Sequence, residues 1–257
     1  MHKLLKCSLT ICAAAALAAG AAARADGPKT ETVQYPNGKD TLSGFLATPE
    51  KPGKHPALVV IHEWWGLNDW VKEQATKLAD LGFVVLAVDL YRGKVAADMN
   101  DAHELSRGLG NDRAISDMNA GFAYLGTRPD VDKNRIGAVG WCMGGGFALQ
   151  LAIHQPMLRA VVVNYGALPT DPGDMSQITA LVLGNFGADD KGITPDDVHA
   201  FEKTMKAQGK YVDLKIYDGA GHAFENPTNT NGYRPEAATD AWSRTVTFLT
   251  KALRPDV

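Results

Sequence analysis

At 257 residues, with 45% hydrophobic and 21% charged side chains, the chain can bury one sizeable core and has the balance of an ordinary folded protein. A formal net charge of −3 offers no basic footprint, which sets nucleic acid aside as a partner. No linker and no internal repeat divides the chain, so a single domain is expected over 26–257.

Residues 1–25 read as an export signal. His2, Lys3 and Lys6 make a positive start, Cys7 to Ala19 is an apolar run too short to span a membrane, and Ala23-Arg24-Ala25 is an A-x-A cleavage site. The expectation is a periplasmic protein whose mature chain begins at Asp26. Cys7 and Cys12 would leave with the signal, so Cys142 would be the sole thiol of the mature chain and could form no internal disulfide. A lone thiol in an oxidising compartment is a liability unless it is packed away or used.

Glu31 to Tyr35 and Leu42 to Thr48 predict two strands turning at Asn37-Gly38, a hairpin signal. Ala57 to Ile61 is a continuous apolar run, the mark of a parallel strand covered on both faces, and it delivers His62-Glu63-Trp64-Trp65-Gly66 to its end. Asp69 to Leu81 predicts an amphipathic helix stopped by Gly82. Phe83 to Val88 is a second buried strand, ending in Asp89-Leu90-Tyr91-Arg92. The polar residues Ala96 to Gly110 predict a helical rim or lid, and Arg113 to Leu125 a clearer helix.

Arg135 to Gly140 is a strand that runs into Gly140-Trp141-Cys142-Met143-Gly144, and Phe147 to His154 suits a buried helix. Strand, tight glycine turn and helix make the context of a nucleophile elbow, G-x-S-x-G, with cysteine in place of serine. A nucleophile on so sharp a turn needs neighbours almost free of side chain, as Gly140 and Gly144 are. The first N–H groups of the helix, Met143's among them, then face the reacting atom and favour a thiolate or an oxyanion. Ala160 to Val163 is the next strand, followed by a loop of Pro, Asp and Gly. Ala180 to Leu183 is another, leading into Asn185 to Asp190. A helix from Pro195 to about Gln208, a half-exposed strand from Tyr211 to Ile216, the turn Gly219-Ala220-Gly221-His222 and a helix from Pro235 to Leu253 complete the chain. Alternating strands and helices predict a doubly wound, mostly parallel α/β sheet with these strand ends along one edge.

A thiol nucleophile needs a base for its proton and a third group to fix that base. Of the seven histidines one, His2, falls in the signal, and only His62 and His222 of the others stand at the ends of core strands. Asp189 or Asp190 follows the strand before His222, giving the order nucleophile, acid, histidine. A His62–His222–Asp metal site lacks the spacing of metal motifs, and no cofactor is expected.

In His62 to Asn68, Asp89-Leu90-Tyr91, Gly140 to Gly145, Phe186 to Asp190 and Gly221 to Phe224, taken in that order, the chain resembles the dienelactone hydrolase family of α/β-hydrolases, over about Thr41 to Leu253. The resemblance implies the α/β-hydrolase fold and cleavage of a small ester or lactone through a thioester. It implies Cys142 as nucleophile, His222 and Asp190 as its partners, and Glu63 as a carboxylate hydrogen-bonded to the resting thiol. Asp190 is preferred over Asp189 on the family's Gly-x-x-Asp pattern. Trp64 N–H would join Met143 N–H in the oxyanion hole, and Trp65, Tyr91 and Arg92 would meet the substrate. His62 is expected to be structural. The chain departs from the arginine-gripping members of the family at Asn226, four residues after His222, which puts an anionic lactone substrate in doubt. Two other classes stand beside the hydrolase, a thiol redox protein and a non-catalytic binder; the first leaves the Cys–Asp–His set unexplained and the second expects a missing member. The partner expected is a small molecule, and the sequence leaves the oligomeric state open.

Overall fold

The computed structural model describes residues 27–254, and the segment read as an export signal lies outside the described residues. An antiparallel hairpin opens the fold, β1 (Lys29–Asn37) against β2 (Asp40–Thr48), turning at Gly38 with φ 60°. β3 (His55–Ile61) leads to α1 (Asp69–Asp80), which starts where the Asn68 side chain accepts the Val71 N–H. β4 (Val84–Val88) follows, then α2 (Met99–Arg107) and α3 (Asn111–Thr127). β5 (Val131–Trp141) feeds α4 (Met143–His154), and β6 (Ala160–Asn164) is followed by the short α5 (Pro172–Gln177). β7 (Leu181–Gly187), α6 (Pro195–Ala207), β8 (Val212–Tyr217) and α7 (Pro235–Leu253) close the chain.

The eight strands form one sheet in the order β1-β2-β4-β3-β5-β6-β7-β8. From β4 to β8 every pairing is parallel, and only β2 runs against the rest, antiparallel to both β1 and β4. β3, β4 and β6 are buried along almost their whole length, as unbroken apolar runs in a doubly covered sheet should be. The core therefore has two halves. α3, α4, α5 and α6 supply the apolar partners on one face, including Met118, Leu149, Met175 and Phe201. α1 and α7 supply those on the other, including Trp70, Leu78, Phe248 and Leu249. This is the predicted doubly wound α/β arrangement, and it carries the C-terminal ends of β3, β5, β6, β7 and β8 to a common edge.

β5 and α4 start four residues earlier than predicted, at Val131 and Met143, and two further differences have a clear physical cause. The stretch after β6 predicted as a loop contains α5, whose start is set by the Asp171 side chain accepting from Gly173 N–H. Six residues show no period, so the helix left no hydrophobic signature. β7 runs on to Gly187, beyond the predicted Leu183, because Asn185, a poor strand former, is held by buried partners: its amide donates to Asn164 Oδ1 at 2.9 Å.

Candidate active site

Cys142 stands between β5 and α4 with φ 55° and ψ −120°, a backbone conformation that costs a non-glycine residue on the order of 1–3 kcal/mol. The turn closes only because its flanks lack side chains: a Cβ on Gly140 would overlap the Gly144 carbonyl, and one on Gly144 the Ile61 carbonyl. Tyr165 and Ala223, two of the other three non-glycine residues with positive φ among the described residues, lie at the same site.

The sulfur of Cys142 lies 3.0 Å from His222 Nε2, and His222 Nδ1 lies 2.7 Å from Asp190 Oδ2. Asp190 is buried, and its other oxygen accepts from the N–H groups of Gly192 and Ile193 at 2.8 and 3.1 Å. Desolvation works against an ionised Asp190, yet these bonds hold it below its ordinary value. Burial likewise opposes an imidazolium at His222, but the Asp190 carboxylate and the Cys142 sulfur outweigh it and raise the ring to about 10. Asp189 is exposed and takes no part. The three residues are thus brought into one line, each from the end of a different parallel strand.

Above this line is a cavity of about 540 Å³, walled by Glu63, Trp64, Trp65, Met99 from α2, and Asn226, Thr228 and Asn229 beyond His222. α2 thus lies at the rim, where the polar stretch was expected. Trp64 meets Trp65 and His103 edge-on, with centroids 5.2 and 5.0 Å apart. Met143 opens α4, so its N–H has no acceptor within the helix; Trp64 N–H belongs to the turn after β3.

Glu63 is in the cavity wall, but not as the thiol's partner. Its Oε2 accepts from Asn226 Nδ2 at 2.6 Å and its Oε1 from the Tyr165 hydroxyl at 3.5 Å, while the sulfur is engaged by His222. The amide competes successfully because it is itself buried and fixed, with its oxygen accepting from Thr228. Burial pushes the Glu63 carboxyl up to about 7 against these donors and against the nearby His222. His62 is structural: Leu90 N–H donates to its Nε2, its Nδ1 faces the Glu63 carbonyl at 2.6 Å, and burial lowers its pKa.

Two residues expected at the substrate are elsewhere. Arg92 turns away from the cavity, pairing with Asp40 at 3.0 Å and Asp117 at 3.3 Å, two carboxylates remote in sequence. Tyr91 is buried behind Met143, its hydroxyl 3.3 Å from Met143 Sδ and its ring against His62. Tyr165, in contact with both Glu63 and the His222 ring, was not singled out from sequence; its only signal is its place just after β6. Among the described residues no group of three or more His, Cys, Asp or Glu is arranged to hold a metal ion.

Residues 42–253 match the model of the dienelactone hydrolase family. The chain belongs to this family. Among dienelactone hydrolase relatives, a Bradyrhizobium protein named "Probable 2-oxo-3-(5-oxofuran-2-ylidene)propanoate lactonase" is 34% identical over 226 residues, covering 83% of this chain and 90% of its own. A dienelactone hydrolase-like promiscuous phosphotriesterase from metagenomic libraries superposes with a TM-score of 0.81 at 27% identity, over 88% of this chain and 99% of that one. The dienelactone hydrolase of Anabaena variabilis shares the fold, with a TM-score of 0.69 at 22% identity over 88% and 99% of the two chains. As a dienelactone hydrolase family member the chain is a carboxylic ester hydrolase.

Proposed function

We propose that the protein hydrolyses a small, uncharged ester or lactone through a Cys142–His222–Asp190 triad and a thioester intermediate. The observation that carries this reading is the continuous line of contacts, 3.0 Å from sulfur to Nε2 and 2.7 Å from Nδ1 to Asp190, at the floor of an aromatic-walled cavity. Asp190 fixes the ring so that Nε2 faces the sulfur. The sulfur attacks the carbonyl carbon, and the oxygen that gains the electron pair is received by the N–H groups of Met143 and Trp64. Collapse of that adduct breaks the carbon–oxygen bond, and the leaving alkoxide takes the proton held on His222 Nε2. Water then gives a proton to the same nitrogen as it attacks the thioester, and the acid departs with the thiolate restored. Glu63, anchored by Asn226 and Tyr165, is a cavity carboxyl that feels the charge on His222.

Substrate charge follows from the walls. The Bradyrhizobium relative is named for an anionic lactone. Among the described residues no lysine or arginine lines the cavity, and the residue closest to a grip, Asn226, is spent on Glu63. Trp64 and Trp65 supply apolar surface instead. The purified mature protein should therefore hydrolyse short p-nitrophenyl esters and neutral lactones with kcat/KM equal to or above that for anionic dienelactones. Folded Cys142→Ala should have no activity. Full activity in Cys142→Ala would overturn the mechanism, and a strong dienelactone preference would overturn the substrate reading. We further infer export, with a mature N-terminus at or near Asp26, on the composition of residues 1–25; N-terminal sequencing of the protein isolated from its native cell tests it, and a chain outside the cytoplasm that still begins at Met1 would overturn it.

A further inference from the structure

The Trp64 N–H belongs to a peptide unit whose other end is the Glu63 carbonyl. In a trans peptide the C=O and N–H point in opposite directions, so whatever fixes that carbonyl also aims the N–H. Two nitrogens meet the carbonyl. Gly66 N–H donates to it at 3.1 Å from within the same turn, and His62 Nδ1 faces it at 2.6 Å. The N–H at the opposite end has no acceptor among the described residues, and Trp64 itself lines the cavity that holds Cys142.

The tautomer of His62 follows from its second partner. Leu90 N–H donates to Nε2 at 3.3 Å, and only an unprotonated nitrogen can accept it. The ring proton is therefore on Nδ1, where it donates to the Glu63 carbonyl. Burial disfavours a second ring proton, against the pull of the Glu63 carbonyl and the Asp89 carboxylate. Tyr91 packs on the ring with centroids 4.8 Å apart, and the bare flank of Gly144 in the elbow lies against the His62 carbonyl. His62 thus ties the turn after β3 to the turn after β4, beside the nucleophile. A histidine that only packs is satisfied by any acceptor in reach. This one donates to the carbonyl that shares its peptide with the Trp64 N–H, and a hydrogen bond to an amide oxygen also polarises the N–H of that amide.

We propose that His62 is a positioning residue for the hydrolysis, its Nδ1–H holding the Glu63–Trp64 peptide so that the Trp64 N–H is fixed on the substrate oxygen as that oxygen gains charge. The inference rests on the hydrolase reading, since without an oxyanion the N–H has nothing to receive.

Two substitutions separate the two bonds of the ring. Asn carries an N–H at the place of Nδ1 but no acceptor at the place of Nε2, and Gln offers the acceptor for Leu90 but no donor for Glu63. Acylation of the mature protein by p-nitrophenyl acetate, followed as the single-turnover release of nitrophenolate, reads the effect. His62→Gln should lower the saturated rate by about 10- to 100-fold, part of the loss expected for an absent oxyanion donor, with half-saturation moved less than about threefold. His62→Asn should retain the rate within about fivefold, although it loses the Leu90 bond. Alkylation of Cys142 by iodoacetamide attacks a saturated carbon and forms no oxyanion, so its rate should match the native protein's within about twofold in both variants. An undiminished acylation rate in His62→Gln, an equal fall in His62→Asn, or alkylation slowed in step with acylation would each overturn the inference while leaving the triad in place. Acylation that survives Cys142→Ala would overturn the hydrolase reading itself, and this inference with it. If neither His62 variant folds, nitrogen NMR of the histidine-labelled native protein decides, with the ring assigned through its contact with Tyr91. A single proton on Nδ1 at neutral pH is expected, and one on Nε2 overturns the inference.

Discussion

Asp189 and Asp190 are neighbours in the chain with opposite surroundings. Asp190 is buried at 4% exposure with both oxygens engaged, one of them on His222, whereas Asp189 faces solvent. Asp190→Asn should lower kcat by about 10⁴, the size of effect seen where an orienting carboxylate is neutralised in a serine triad, and Asp189→Asn by less than about tenfold. Ester turnover of the two variants, with circular dichroism to confirm folding, checks this; comparable losses in both would count against Asp190 as orienter. The pair was legible from the Gly-x-x-Asp spacing. Arg92 and Tyr91 were not, because a side chain's direction depends on partners the local sequence does not contain. Asp40 and Asp117 draw Arg92 to the hairpin and α3, and Met143 and His62 enclose Tyr91. Asn226 stood out as a departure from the family pattern, but its bond to Glu63 joins residues 163 positions apart, which no local signal announces.

Arg92 makes its contribution between elements. It ties the turn of the β1–β2 hairpin, through Asp40, to α3, through the buried Asp117. Arg92→Ala should leave kcat/KM for neutral esters unchanged within about twofold, since the side chain does not reach the cavity. It should lower Tm by about 2–4 °C if the half-exposed clamp contributes ~1 kcal/mol. A selective fall in activity toward anionic substrates would instead place Arg92 at the substrate. The elements that sequence made legible carry strong local signals: the apolar runs of β3 and β4, the amphipathic pattern of α1 with its Gly82 stop, and Pro195 at the start of α6. α5 buries only Met175 and depends on packing against its neighbours, so it had nothing to declare in advance.

Across the whole molecule, two carboxyl groups and one imidazole hold protons more tightly when folded, in a pH range below that of the buried tyrosines. Glu63 is raised from 4.5 to about 7, Glu225 from 4.5 to about 8, and His222 from 6.5 to about 10. Between these limits the folded chain carries protons that the unfolded chain has released, so stability falls as pH rises. The His222 contribution is fully present below 6.5 and is gone above about 10. His62, which burial holds below 6.5, contributes the opposite slope beneath that pH. Tm should therefore decline most clearly from about pH 7 to pH 9, and Glu225→Gln should flatten the lower part of that fall. A Tm that climbs over this range would show that the carboxyl groups ionise freely in the fold. The cation-free lining of the hydrolytic cavity has a kinetic side as well. With a net charge of −3 and no lysine or arginine among the described residues at the mouth, the protein has no field with which to gather anions from a distance. Substrate arrives by unassisted diffusion, and added salt has little attraction to screen. kcat/KM for a neutral ester should stay level within about twofold between low and near-molar sodium chloride, so that turnover is set by ester concentration alone, indifferent to how brackish the surroundings become.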